Sequence, residues 1–320
     1  MNSALQAFGR HSISVVTPVY NGEASVAELC RRLGELLPRI ATEYEIILVN
    51  DGSRDGSWDV ISELSSRFPT VRGLNLMRNY GQHNALLCGI RAAKYDVIVT
   101  MDDDLQHPPE EIPRLLEQME QGFDVVYGAP KEERHVFMRA LASRITRLAL
   151  GSAIGMDLAK NVSAFRVFRT QLREAFADYQ TPFVSIDVLL TWATTRFTAV
   201  PVAFQPRYSG TSTYTFTKLV RHALDMMTGF STAPLQLASL IGFACTLFGL
   251  AVFLYVFVRY CFEGSVPGFP FLASIVAIFS GAQLFALGVI GEYLARIHFR
   301  TMNRPVYVVR SVSGESKDLP

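Results

Sequence analysis

An apolar run, VIVTM at residues 97–101, stops abruptly at Asp102, Asp103 and Asp104, and LQHPPEE follows. Carboxylates gathered where a buried strand ends offer the hard oxygen ligands that suit a divalent cation bridging to a diphosphate. Backbone alternation makes Asp102 and Asp104 the useful pair and turns Asp103 away. An ordinary acidic turn before the helix at Pro109 would use the same residues. What favours a phosphate-sugar site is a second loop of similar design, NDGSRDG at residues 50–56, which places Asp51 among glycines and short polar residues after the apolar run EIILVN. Arg78 adds a guanidinium whose fixed fork can grip phosphate, with a structural ion pair as the other reading. His83 alone establishes neither a base nor a metal ligand.

These loops need elements to hold them. SISVVTPV at 12–19 and EIILVN at 45–50 read as strands on either side of an amphipathic helix over 25–39. The cycle continues with a helix at 57–68, a strand at 71–76, a helix at 84–93, a strand at 96–101, a helix at 109–121 and a strand at 123–127. Alternation of this kind predicts an α/β domain with a parallel sheet covered on both faces. Residues 131–151 are basic and amphipathic, with Phe137, Leu141, Ile145 and Leu148 in a stripe that suits either a core or a lipid surface.

Thirty basic and 29 acidic side chains give a net charge of +1, which excludes the strong positive field of a nucleic-acid-binding domain. Cys30, Cys88, Cys245 and Cys261 are scattered, so neither a disulfide framework nor a thiolate zinc site is indicated. The first 20 residues lack the pattern of a signal peptide. Leu237–Val258 gives 22 residues without a charge and Phe269–Gly291 gives 23, each enough for a helix to cross a bilayer. Lys218 and Arg221 precede the first run, and Arg296, Arg300, Arg304 and Arg310 follow the second. By the basic-residue rule the catalytic domain and both termini are cytoplasmic, in a multi-pass cell-membrane protein. Small Gly and Ala residues in these runs permit a homo-oligomer. The expected division is a catalytic domain over 1–214, an amphipathic linker over 215–234, a two-helix hairpin over 235–291 and a basic tail over 292–320, with 311–320 untethered.

PVYNG at 18–22, VNDGSRDGS at 49–57, RNYGQHNA at 78–85, MDDDLQHPPEEIP at 101–113, YSGTSTYTF at 208–216 and GEYLARIHFRTMNRPVYVV at 291–309 together resemble family 2 glycosyltransferases. The closest likeness is to polyprenyl-phosphate sugar transferases, the subgroup that includes dolichyl-phosphate mannose synthase and undecaprenyl-phosphate aminoarabinose transferase. The resemblance spans nearly the whole chain and implies a nucleotide-diphospho-sugar transferase fold of GT-A type with a C-terminal two-helix transmembrane hairpin. It implies inverting transfer of one sugar from a UDP-sugar, or a GDP-sugar, to polyprenyl phosphate in membrane lipid, with Mg2+ or Mn2+.

Carried over by motif, Pro18 and Tyr20 resemble donor-pocket residues and Asp51 the acid that recognises the base. Asp102 and Asp104 resemble the donor and metal acids, with Gln106 completing the metal environment. Arg134 and Arg139 are diphosphate contacts in this reading. Arg207 is the acceptor-phosphate residue, supported by Ser212 and Tyr214. Asp187 is a catalytic candidate near the donor sugar that equally suits an N-cap or a buried paired acid. Three positions depart from the family pattern: Gly22 where Glu is common, Lys160 for Asp, and Thr213 for Lys. These departures keep a non-catalytic membrane scaffold in view, and a processive synthase is the other alternative. Glucose is the first expectation for the donor sugar, because simple hexose transfer requires no special amino-sugar pocket, and aminoarabinose is the other candidate by the resemblance of RNYGQHNA and DLQHPPEEIP.

Overall fold

The computed structural model describes residues 11–130, 161–181, 184–206, 233–263, 268–302 and 304–314. The chain divides into two compact units, one from Met1–Val220 with Asn303–Pro320, the other from Arg221–Met302.

The first unit is built on β1 (Ser12–Val19), α1 (Val26–Ile40), β2 (Glu43–Asn50), α2 (Ser57–Arg67), β3 (Val71–Leu76), α3 (Gln82–Ala92) and β4 (Val97–Thr100). A 3-10 turn at Pro109–Glu111 leads into α4 (Ile112–Glu120), followed by β5 (Val125–Pro130), β6 (Arg166–Arg169), α5 (Ile186–Ala193) and β7 (Phe197–Val202). Strand and helix periods explain the layers. Ile13, Val15 and Val19 of β1 share one apolar cluster with Val26, Leu29, Leu33 and Leu37 of α1, a stripe at helical spacing. Val16 points the other way and joins the cluster that contains Ala85, Leu86 and Ile90 of α3. Helices thus cover both faces, and β1 in the middle is buried along almost its whole length.

The sheet order is β7-β5-β6-β4-β1-β2-β3-β8. It is mixed, which corrects the expectation of a parallel sheet. β6 runs antiparallel to both β4 and β5, and β8 (Val309–Ser313) antiparallel to β3. The sequence conceals both reversals. β6 is RVFR, four residues with arginine at each end, and β8 is VRSVS, too short and polar to read as a buried strand.

β8 also corrects the expected tail, because Ser311–Ser313 belong to the sheet. Buried Val306 enters the α3-side cluster, the Met77 N–H donates to the Val308 carbonyl at 2.9 Å, and Arg310 donates to the Met77 carbonyl at 3.0 Å. Tyr307 lies beside Arg91, with the guanidinium 5.8 Å from its ring centroid, and bonds the Cys88 thiol. Burial pushes that thiol up to about 12, so Cys88 is a packing residue.

The second unit consists of α6 (Ala233–Glu263) and α7 (Phe269–Thr301), with apolar stretches at Pro234–Phe262 and Ile278–His298 long enough to cross a bilayer. None of the most apolar window of either helix is buried, which separates the pair from the core helices of a soluble domain. The helices are antiparallel: Tyr293 bonds the Leu235 backbone, and the Phe279 ring packs at Gly249.

Removing Val309–Pro320 should leave β3 as an open edge. Amide exchange across β3 is then expected to accelerate while β1 stays protected. Unchanged exchange at β3 would show that β8 does not guard it.

Candidate active site at the parting of two strands

The sheet reverses its order of progression between β1 and β4, which is where open α/β sheets place a ligand crevice, beyond the carboxyl ends of the strands. β1 pairs with β4 only from Ile13↔Val97 to Val16↔Thr100, but with β2 as far as Val19↔Asn50. The Asp51 N–H bonds the Val19 carbonyl on the β2 side at 2.8 Å, so alternation turns the nitrogen of Pro18 towards β4, beyond its ladder. A proline with no N–H costs no sheet bond there. Pro18 itself is buried and forms a wall of the strand end, whereas Tyr20 stands 43% exposed at the rim.

Side-chain acceptors tie the loops at this edge to one another. Asp51, 3% exposed, accepts the N–H of Tyr80 at 2.7 Å on one oxygen and of Gly81 at 2.8 Å on the other. Burial raises its carboxyl above the ordinary range, opposed by those two N–H groups and by Arg78. The Arg78 guanidinium lies 4.5 Å from the centroid of the Tyr80 ring. Asn21 and Glu23 join the β1 loop to the β2 loop: Asn21 accepts from Arg54 N–H at 2.9 Å, and Glu23 accepts from Gly56 N–H at 3.0 Å. Gln82, first residue of α3, donates to Asp102 at 2.6 Å.

The acidic run keeps strand alternation after β4 ends. Asp102 meets α3 through Gln82, while the Asp103 carboxylate lies against Gly22 on the α1 side. A Cβ at position 22 would meet the end of that side chain, so a larger residue there would require the carboxylate to turn aside. The departure at Gly22 thus lies beside Asp103, and its neighbour Glu23 supplies a loop-tying carboxylate. Asp104 accepts the Gln106 N–H at 3.1 Å across a turn in which Leu105 takes φ 58°. His107 follows, and burial holds its imidazole below the usual range against the pull of Asp104.

Asp102, Asp104 and Gln106 thus share one short loop, with Asp51 at the next strand end but one. Among the described residues no three His, Cys, Asp or Glu side chains converge as a metal cage. Two carboxylates on one loop still fit a cation such as Mg2+ that takes one or two carboxylates and completes its shell with phosphate oxygens and water. Arg134, Arg139, Lys160, Arg207, Ser212, Thr213 and Tyr214 lie outside the described residues.

The profile of glycosyl transferase family 2 matches residues 14–179, a span that begins in β1 and includes every loop just described. The chain belongs to that family. A relative from Pseudomonas fluorescens, undecaprenyl-phosphate 4-deoxy-4-formamido-L-arabinose transferase, is 35% identical over 309 residues, covering 94% of this chain and 90% of its own. The protein of that name from Proteus mirabilis is 34% identical over 311 residues, covering 96% and 95%. Among solved structures, mannosyl-3-phosphoglycerate synthase from Rubrobacter xylanophilus superposes with a TM-score of 0.52 at 17% identity, over 68% of this chain and 72% of that one. Glucosyl-3-phosphoglycerate synthase from Mycobacterium tuberculosis, in complex with Mn2+ and UDP-glucose, gives 0.51 at 17% identity, over 70% and 79%. Their likeness is one of fold, and the fold is of GT-A type.

In this family 2 glycosyltransferase Asp187 takes one of the roles left open for it, that of a buried paired acid. It forms an ion pair with Arg166, which is 1% exposed, and accepts the Tyr127 hydroxyl at 3.1 Å. Burial, then the Asp187 charge, raises the Tyr127 phenol well above its ordinary value, so it stays a donor. Arg166 also donates to Thr100 at 3.0 Å, two residues before Asp102, and the Ile186 N–H reaches His83 Nδ1 at 3.4 Å, beside Gln82. Sequence reasoning missed Tyr127 and Arg166; the one signal for Arg166 was a charge inside the apolar stretch SAFRVFR.

Asp187→Ala should strand the Arg166 charge and destabilise the domain by about 3–5 kcal/mol, the usual cost of breaking a buried pair. Asp187→Asn, which keeps an acceptor oxygen, should lose less. Thermal unfolding in detergent measures both. Undiminished stability in an inactive Asp187→Ala variant would return Asp187 to a direct chemical role.

Proposed function

We propose that this glycosyltransferase moves one sugar, with inversion, from a nucleoside-diphosphate sugar to polyprenyl phosphate at a membrane surface. The observation that carries this reading is the match along nearly the whole chain, apolar helices included, to relatives named for undecaprenyl phosphate and one sugar. Their names favour an amino-modified arabinose over glucose as the donor sugar. Such coverage also favours a single-sugar transferase over a processive synthase or a non-catalytic scaffold.

In the reaction an acceptor phosphate oxygen forms a bond to the anomeric carbon as the bond to the donor diphosphate breaks, and nucleoside diphosphate leaves. A phosphate monoester has its second pKa near ~6, so the acceptor is largely dianionic at neutral pH and needs no strong protein base. That suits a site whose buried acid, Asp187, is already paired with Arg166. Asp51 keeps further acceptor directions on its oxygens and reads the base, with UDP as the first expectation. Tyr20 and Arg78 border the donor, Pro18 backs it, and Arg134 and Arg139 meet the diphosphate. Arg207, Ser212 and Tyr214 hold the acceptor phosphate. Asp102, Asp104 and Gln106 would hold Mg2+ or Mn2+, which supplies charge neutralisation for the departing diphosphate.

Chain order supports a membrane hairpin. β8, after α7, belongs to the same sheet as the strands before α6. A chain that leaves this sheet and re-enters it must cross a membrane an even number of times, as two helices do. The arginines that follow the apolar stretch of α7 favour a cytoplasmic side for the sheet.

The test is a panel of UDP- and GDP-sugars, including UDP-glucose and UDP-4-deoxy-4-formamido-L-arabinose, with polyprenyl phosphate and the full chain in lipid. Expected products are one polyprenyl-monophosphate sugar and free nucleoside diphosphate, lost on chelation of divalent metal. Release of nucleoside monophosphate with a polyprenyl-diphosphate sugar, or a ladder of longer glycans, would refute the reading. Asp104→Asn should lower kcat on the order of 100-fold, the scale for losing one organised charge-stabilising group. Arg207→Gln should weaken lipid use more than nucleotide binding.

A further inference from the structure

We propose that His107 is a positioning residue that joins the acidic loop to the strand exit leading into the acceptor segment, so that donor and acceptor sites move as one body. The inference rests on the reading of Arg207 given above and goes beyond it by naming what holds that segment in place. His107 plays no part in the ties among the β1, β2 and β3 loops.

Its imidazole packs against two phenylalanines from different parts of the chain. One face stacks on Phe165, with centroids 5.4 Å apart and planes at 28°; Phe204 meets the ring edge-on at 5.3 Å and 77°. Phe165 is the fixed half of this clamp. It is fully buried, its carbonyl accepts the Gly128 N–H at 2.9 Å, and its ring fills the space that a side chain at 128 would occupy. Phe204 is the dependent half, 41% exposed, on the strand exit just after β7.

A second tie runs beside the ring. The Gln205 N–H donates to the Gln106 carbonyl at 2.8 Å, joining the same two segments through backbone. Leu105 in the left-handed region at φ 58° makes the turn between Asp104 and this tie. One side of the joint therefore carries Asp102, Asp104 and Gln106. The other side runs into Arg207, two residues beyond Gln205 and within roughly 7 Å of it along an extended chain. In this proposal a shift of the Phe204–Gln205 segment would be passed along that short length of chain.

The ring works through its faces and edge. His107 Nε2 is buried and has no hydrogen-bond partner among the described residues, and its contacts with Phe165 and Phe204 are aromatic. Phenylalanine can supply similar packing, and alanine cannot.

The experiment uses the full chain in lipid nanodiscs, wild type against His107→Ala, His107→Phe, Phe204→Ala and the His107→Ala/Phe204→Ala double variant. Three quantities are read: KM and kcat with polyprenyl phosphate, Kd for UDP, and amide exchange over residues 203–206. His107→Ala and Phe204→Ala should each raise KM for the lipid about 10-fold, the scale for losing an outer support of a site, with UDP affinity within about twofold. Exchange over 203–206 should quicken in both, His107→Phe should restore it along with KM, and the double variant should be no worse than the poorer single one.

The proposal is overturned if UDP affinity falls as far as lipid use, if His107→Phe is as defective as His107→Ala, or if exchange over 203–206 does not change. Failure of the functional reading looks different: wild type would then show no turnover with polyprenyl phosphate. The exchange measurements and the phenylalanine variant would still report on the joint.

Discussion

Everything at the candidate site depends on one strand, β1, parting from its parallel neighbour β4 while β2 still holds it. β1 leaves β4 after Val16 but stays paired with β2 to Val19, so a gap opens beside β1 at the centre of the sheet. A backbone leaving a ladder has N–H and C=O groups to satisfy, and each one left buried without a partner would cost about 1–3 kcal/mol. Pro18 removes one donor from that account by having no N–H. Beyond it the N–H groups of Asn21, Gly22 and Glu23 donate to the side chains of Ser53, Ser57 and Asp55, and this makes the edge at once ordered and polar.

The carboxylates at this edge consequently do different work. Asp51 and Glu23 spend oxygens on backbone N–H groups of other loops, fixing the spacing of three strand exits. Asp187 is occupied by Arg166 and Tyr127 well inside the protein. Asp102 and Asp104 are oriented by a side-chain amide and by a local backbone N–H, and both ride on the loop that follows β4. Buried pairs contribute little net stability against an apolar substitute, but they are costly to break. The Arg166–Asp187 pair is thus better understood as fixing geometry, since its branches reach Thr100 ahead of Asp102 and, through Ile186, His83 beside Gln82.

How legible this was in the sequence follows from range. The strand–helix cycle through β4 could be read because each element carries its own period: β1 alternates between two apolar clusters, and the stripe of α1 recurs every three or four residues. The acidic loop at the carboxyl end of β4, and Asp51 at the next strand end but one, followed from the same pattern. The reversals at β6 and β8 did not, because four or five residues with arginine or serine look like loop until a neighbouring strand pairs with them. Asp187 could be read as an N-cap, a paired acid or a catalyst because its partner Arg166 is brought to it only by folding. The setting of the Gly22 departure was likewise hidden by range: the carboxylate that lies against it belongs to Asp103, 81 positions further on.

The hairpin is placed within the sheet's chain order, between β7 and β8. This has a consequence for how the sheet is completed. Until Val309–Ser313 pairs, β3 presents an edge of unpaired backbone groups, the feature that invites pairing with other chains. The residues that close this edge come later in the chain than both apolar helices, so closure follows synthesis of the hairpin. Contacts between β3 and β8 span more than 230 residues, and pairing at such separation forms late because the intervening chain must first be ordered.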